Sequence, residues 1–66
     1  MTVTVNGKPR PLEPGATVAE LLDGLAISRE GVAVAVNRRI IPRSGLHERA
    51  LSDGDVVEIV RAVGGG

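Results

Sequence analysis

Polar and apolar residues alternate with period two through Thr2-Val3-Thr4-Val5, and Asn6-Gly7 follows as the strongest short-range hairpin signal. This pattern predicts a strand over residues 2–5 and a return strand over 8–12. Pro9 and Pro11 lie two apart in the return strand, so both missing N–H groups fall on the same side of it. That side must face solvent, which makes the second strand a sheet edge and also deters edge-to-edge aggregation. Pro14-Gly15 punctuates the chain before the period changes. Thr17-Val18-Ala19-Glu20 has capping-box spacing, with Thr17 as N-cap and Glu20 at N3. Val18, Leu21, Leu22 and Leu25 then recur at i, i+3, i+4 and i+7, which is one apolar helix face and a core element. Gly24 weakens the last turn, so the helix is expected to end near Leu25 or Ala26.

In the second half, Val32-Ala33-Val34-Ala35-Val36 is apolar on both faces, as suits a central strand. Asn37-Arg38-Arg39 turns the chain into a short strand at Ile40-Ile41, which Pro42 ends. Residues 43–51 read as an irregular connection with room for one helical turn. Asp53-Gly54-Asp55 is a turn feeding the last strand, Val56-Val57-Glu58-Ile59-Val60. Two hairpins and one helix must share one core, and a mixed sheet with the helix across one face achieves this. Five strands around one helix in this order predict an α+β fold of the β-grasp, ubiquitin-like type. Strands one and five would then lie side by side in the centre. The domain is expected over residues 1–63, with a glycine tail at 64–66.

Composition narrows the chemistry. A chain of 66 residues makes one domain and leaves no room for a large enclosed pocket. It has no cysteine, which excludes disulfides and thiolate metal sites, and no Phe, Tyr or Trp, so its core must be aliphatic. Missing aromatics also remove the usual stacking platform for single-stranded nucleic acid. Eight basic and eight acidic residues cancel, so no broad field favours nucleic acid or an anionic membrane. Residues 1–7 lack the apolar run of a signal peptide, and no stretch approaches a membrane span. A soluble cytoplasmic protein is the expectation. His47 is the sole histidine and reads as a surface loop residue, while Asp53 and Asp55 read as turn caps, so no metal site is expected. No Ser-His-Asp constellation is in prospect, and no helix follows the glycines to make them a phosphate loop.

Gly64, Gly65 and Gly66 close the sequence directly after the apolar stretch 56–63. Without Cβ atoms such a run can enter a narrow channel, and it projects about 10 Å beyond a folded body. The bland alternative is a frayed terminus, but a compact domain ending just before the arm is expected to make it a presented carboxylate.

The segments V-x-V-N-G (residues 3–7), T-V-A-E-L-L (17–22), G-V-A-V-A-V-N (31–37), I-P-R-S (41–44), L-x-D-G-D-x-V-E-I-V (51–60) and A-V-G-G-G (62–66) stand in this order along the entire chain. Together they resemble the ThiS-type sulfur carrier family of thiamine biosynthesis. Molybdopterin carriers are less similar: they tend to be longer, and a proline pair often precedes their diglycine where this chain has Arg61-Ala62-Val63. The resemblance implies a carrier and not an enzyme. An E1-like adenylyltransferase would use ATP to adenylate the Gly66 carboxylate, and this chain would bind no cofactor itself. Sulfur, drawn from cysteine through a desulfurase relay, would displace AMP and leave a C-terminal thiocarboxylate, which thiazole synthase would consume. Gly64 and Gly65 would let the arm thread both active sites. A carrier for molybdopterin or cysteine synthesis is the nearest alternative. A ubiquitin-like modifier is the next, although Lys8 as the sole lysine argues against chain formation.

Alternation along strand five also predicts a docking surface. If Val57 and Ile59 face the helix, then Val56, Glu58, Val60 and Ala62 face away from it, alongside Ala33 and Ala35 of the neighbouring strand. Val56, Val60, Ala33 and Ala35 would form an apolar cluster, with Thr2, Thr4 and Glu58 as its polar rim. A contiguous apolar patch at the root of the tail is where an activating enzyme must grip.

Overall fold

The computed structural model describes residues 1–61. Ala62, Val63 and the three glycines Gly64, Gly65 and Gly66 lie outside the described residues. The elements run β1 (Thr2–Val5), β2 (Lys8–Pro11), α1 (Val18–Gly24), β3 (Val32–Val36), β4 (Arg39–Ile41), a 3-10 turn (Arg43–Gly45) and β5 (Val56–Arg61). The sheet order is β2-β1-β5-β3-β4, with β5 parallel to β1 and antiparallel to β3. This is the β-grasp arrangement: a mixed five-stranded sheet with one main helix on one face.

β2 is an edge strand, as its two prolines require. Met1 and Leu12 exchange backbone hydrogen bonds, and alternation therefore places Pro9 and Pro11 at the non-bonded positions opposite Thr4 and Thr2. Their missing donors cost the ladder nothing. The first hairpin turns on Asn6 and Gly7, both at positive φ (49° and 83°), as a two-residue turn of the primed type needs. The second hairpin turns on Asn37 and Arg38 alone (φ 51° and 69°). Arg39 therefore belongs to β4, one residue earlier than the sequence reading places its start.

Helix α1 carries the full capping box. The Thr17 hydroxyl accepts from the Glu20 N–H at 3.2 Å, and the Glu20 carboxylate accepts from the Thr17 N–H at 2.9 Å. The next two free amides are satisfied from the 43–51 connection: Val18 N–H donates to the Arg49 carbonyl and Ala19 N–H to that of Leu46. Thus the segment that looks irregular in sequence is a cap for the helix start. At the other end Ala26 sits at φ 57° and donates to the Asp23 carbonyl, while Ile27 donates to that of Leu22. This is a Schellman closure with alanine in the position glycine normally takes.

The core is aliphatic. Val18, Leu21 and Leu22 of the helix pack with Val3, Val34, Val36 and Val57 of the sheet, and Leu46 and Leu51 close the side. Ala19, outside the predicted stripe, is also buried because the 46–51 loop lies over it. β3 is interior to the sheet, but only its Val34 and Val36 face is covered; Ala33 is exposed and Ala35 half-buried.

Candidate functional site

β5 ends at Arg61, with two residues between it and the first C-terminal glycine in the sequence, so what holds and surrounds it defines the site. Its backbone ladder with β1 is short, pairing only Thr4 with Val56 and Val5 with Val57. Beyond that point β1 turns away at Asn6. The Asn6 carboxamide then takes over, accepting from the Ile59 N–H at 2.8 Å and donating to the Ile59 carbonyl at 3.1 Å. One side chain thus replaces one further residue of strand. Asn37 does the same at the start of β5, accepting from the Val56 N–H at 2.9 Å and donating to the Asp55 carboxylate at 3.0 Å. Both asparagines occupy left-handed turn positions, where Asn is favoured among non-glycine residues. The sequence shows both turns but not this reach across to β5.

The remaining polar candidates are structural. The Asp53 carboxylate accepts from the Thr2 N–H and that of Asp55 from the Ser52 N–H, each at 2.8 Å. Among the described residues no cluster of three metal-ligating side chains forms. His47 is exposed and lies against the Arg29 guanidinium, which also approaches Asp23 at 3.9 Å. An open groove beside β2 and α1 is lined by Arg10, Leu12, Glu13, Glu20 and Leu21, and Glu20 is already engaged in the capping box. Among the described residues no helix is long and apolar enough to cross a membrane.

On the sheet, Val57 is buried and Ile59 packs against the core, whereas Val56, Glu58 and Val60 are exposed on the opposite face. Register sets Val60 beside Ala33 and Glu58 beside Ala35. Ala35 in turn faces Ile40 of β4, which at 72% is more exposed than Val60 (63%) or Val56 (47%). The sequence reading misses Ile40, because a three-residue turn leaves the register of β4 undefined. A two-residue turn at Asn37-Arg38 would have put Ile40 opposite Ala35. Glu58 also needs correcting. It is not on the rim of the patch: it stands on the central strand between Val56 and Val60, in the row Glu58-Ala35-Ile40. Ala62, Gly64, Gly65 and Gly66 lie outside the described residues.

Residues 3–66 match the model of the ThiS family. A sulfur carrier protein ThiS from Thermus thermophilus is 44% identical over 97% of this chain and 98% of its own length. A thiazole synthase from Paramagnetospirillum magneticum is 39% identical over the whole of this chain, which spans only 20% of that protein. Among solved structures, the crystal structure of the thiamine biosynthesis protein ThiS from Geobacter metallireducens superimposes with a TM-score of 0.86 at 36% identity, covering all of both chains. With the sheet order, the uncovered face and matches of this extent, the chain belongs to the ThiS family of ubiquitin-like sulfur carriers of thiamine biosynthesis.

Proposed function

We propose that the Gly66 carboxylate is the sulfur-bearing group. An ordinary terminal carboxylate is ionised at neutral pH and resists nucleophiles, so it needs activation. An E1-like enzyme joins it to the AMP of ATP and releases pyrophosphate. Sulfur derived from cysteine displaces AMP, and the resulting thiocarboxylate passes its sulfur to thiazole synthase. The observation that carries this reading is the family match running through residue 66. The thiazole synthase that contains a segment 39% identical to this chain supports thiazole formation as the acceptor reaction, ahead of molybdopterin or cysteine synthesis. The face of Val56, Val60, Ala33, Ala35 and Ile40 serves as the grip for the activating enzyme, because it flanks the strand that delivers the glycines.

Intact-mass measurement after incubation with ATP, an E1-like enzyme and a sulfur source tests the chemistry. Exchange of one oxygen for sulfur at residue 66 is the expected product, and deletion of Gly66 or a retained C-terminal tag abolishes it. Full loading of protein that keeps its tag would refute the reading. Transfer to molybdopterin synthase but not to thiazole synthase would move the chain to the alternative pathway. For the grip, Val60→Asp is expected to fold normally, since exposed substitutions change stability by only about 0.5 kcal/mol. Its binding to the activating enzyme should fall severely, because a buried unpaired charge costs several kcal/mol.

A further inference from the structure

The open face of the sheet has an uneven charge distribution. By register its strand positions are two prolines on β2, two threonines on β1, the alternate residues of β5, two alanines on β3 and Ile40 on β4. Glu58 is the one ionisable side chain among them. The four cations within strands, Lys8, Arg10, Arg39 and Arg61, pair with Val5, Val3, Val36 and Val32 and so alternate to the helix side. The ion pairs among the described residues are Arg29 with Asp23 and Arg43 with Glu30, and Glu58 takes part in neither. Exposed Arg38 stands beside this face in the turn between β3 and β4, yet among the described residues Glu58 forms no ion pair, so it is an unpaired carboxylate set inside an apolar patch.

Resting on the reading that this face docks the activating enzyme, we propose that the enzyme's surface is apolar except for one arginine, which pairs with Glu58 and selects this carrier. Any surface that covers both Val60 and Ile40 also covers Glu58, because Glu58 precedes Val60 by two positions on β5 and shares a row with Ala35 and Ile40. Covering a carboxylate without a counter-charge is strongly unfavourable, so an entirely apolar partner is rejected. Arginine fits better than lysine. Its planar fork pairs with a carboxylate through two parallel hydrogen bonds, and its weaker hydration suits a site flanked by alanine methyls. Val60, Ile40 and Ala33 supply contact area, while Glu58 supplies discrimination between enzymes that have the arginine and those that do not.

The test measures the dissociation constant of the full chain with its E1-like enzyme for wild type, Glu58→Gln, Glu58→Arg and Val60→Asp. Glu58 is exposed, so each Glu58 variant should melt like wild type. Glu58→Gln keeps the shape and leaves the arginine unpaired, and is expected to weaken binding by about tenfold. Glu58→Arg sets two cations together and should weaken it by about a hundredfold or more. Replacing the enzyme's facing arginine by glutamate should restore binding of Glu58→Arg. Equal or tighter binding by Glu58→Gln overturns the inference. If Val60→Asp also binds normally, the docking face itself has been misassigned. If Val60→Asp binds weakly while Glu58→Gln does not, the face stands and only the arginine partner falls.

Discussion

Asn6→Gly separates two jobs that one residue performs. Asn6 holds the left-handed conformation of the first hairpin turn (φ 49°), and its carboxamide makes both hydrogen bonds to the Ile59 backbone. Glycine adopts that φ without steric cost, so the substitution keeps the turn and removes the bonds to β5. Each such bond contributes a net 0.5–1.5 kcal/mol or so, with exposure favouring the lower half. The expected loss is about 1.5 kcal/mol, which for a domain of this size lowers Tm by roughly 6–12 °C. With no Trp or Tyr the chain offers no useful intrinsic fluorescence, so far-UV circular dichroism or calorimetry must follow unfolding. Hydrogen exchange adds the local readout: the Ile59 amide should lose protection relative to amides of β3. Adding Asn6→Ala should destabilise further, because alanine at positive φ brings a steric cost of about 1 kcal/mol. If Asn6→Gly melts within about 2 °C of wild type and Ile59 stays protected, the side chain does not hold β5 and the reasoning fails.

The helix yields four further predictions, all read from thermal unfolding. Gly24 lies in the last turn with open space where a Cβ would go, so Gly24→Ala should stabilise by about 0.5–1 kcal/mol. Ala26 occupies the left-handed closing position at φ 57°, and Ala26→Gly should add about 1 kcal/mol more. Thr17→Ala removes the hydroxyl of the capping box and should cost about 0.5–2 kcal/mol. Leu22→Ala empties a fully buried position; the loss of about 2–5 kcal/mol is comparable to the whole stability of a domain this small, so the variant should be largely unfolded.

How much was legible in the sequence depended on whether a feature is signalled by side chains or by backbone. The capping box, the Asn-Gly turn and the edge prolines are side-chain signals, and they gave α1, the first hairpin and the position of β2. Alternation along residues 56–60 likewise gave the two faces of β5. The cap supplied by the Leu46 and Arg49 carbonyls was not legible, because a carbonyl is common to every residue and only the fold brings it to Val18 and Ala19. The length of the second hairpin turn is hidden for a related reason. Arg38 stands at φ 69° where turn chemistry favours glycine, so nothing in composition marks the turn as two residues long. That single count decides the register of β4, and through it the place of Ile40 in the patch. The central place of Glu58 is hidden because a strand read alone has no centre; only the sheet order puts β5 in the middle.

One helix can cover only one face of a five-stranded sheet, and among the described residues no second layer exists to cover the other. An uncovered face carrying Val56, Val60 and Ile40 favours stacking on its own copies as much as docking on a partner. The sequence limits that tendency in two places. β2, at one edge, carries Pro9 and Pro11 with their ring nitrogens turned outward, so it cannot extend the sheet through a regular ladder. On the face itself, a two-fold stack centred on the patch would set the Glu58 carboxylates of two copies against each other in a desolvated contact. The same isolated charge that accepts an arginine therefore opposes self-association. A threonine or valine at that position would suit the strand as well and would lose both effects.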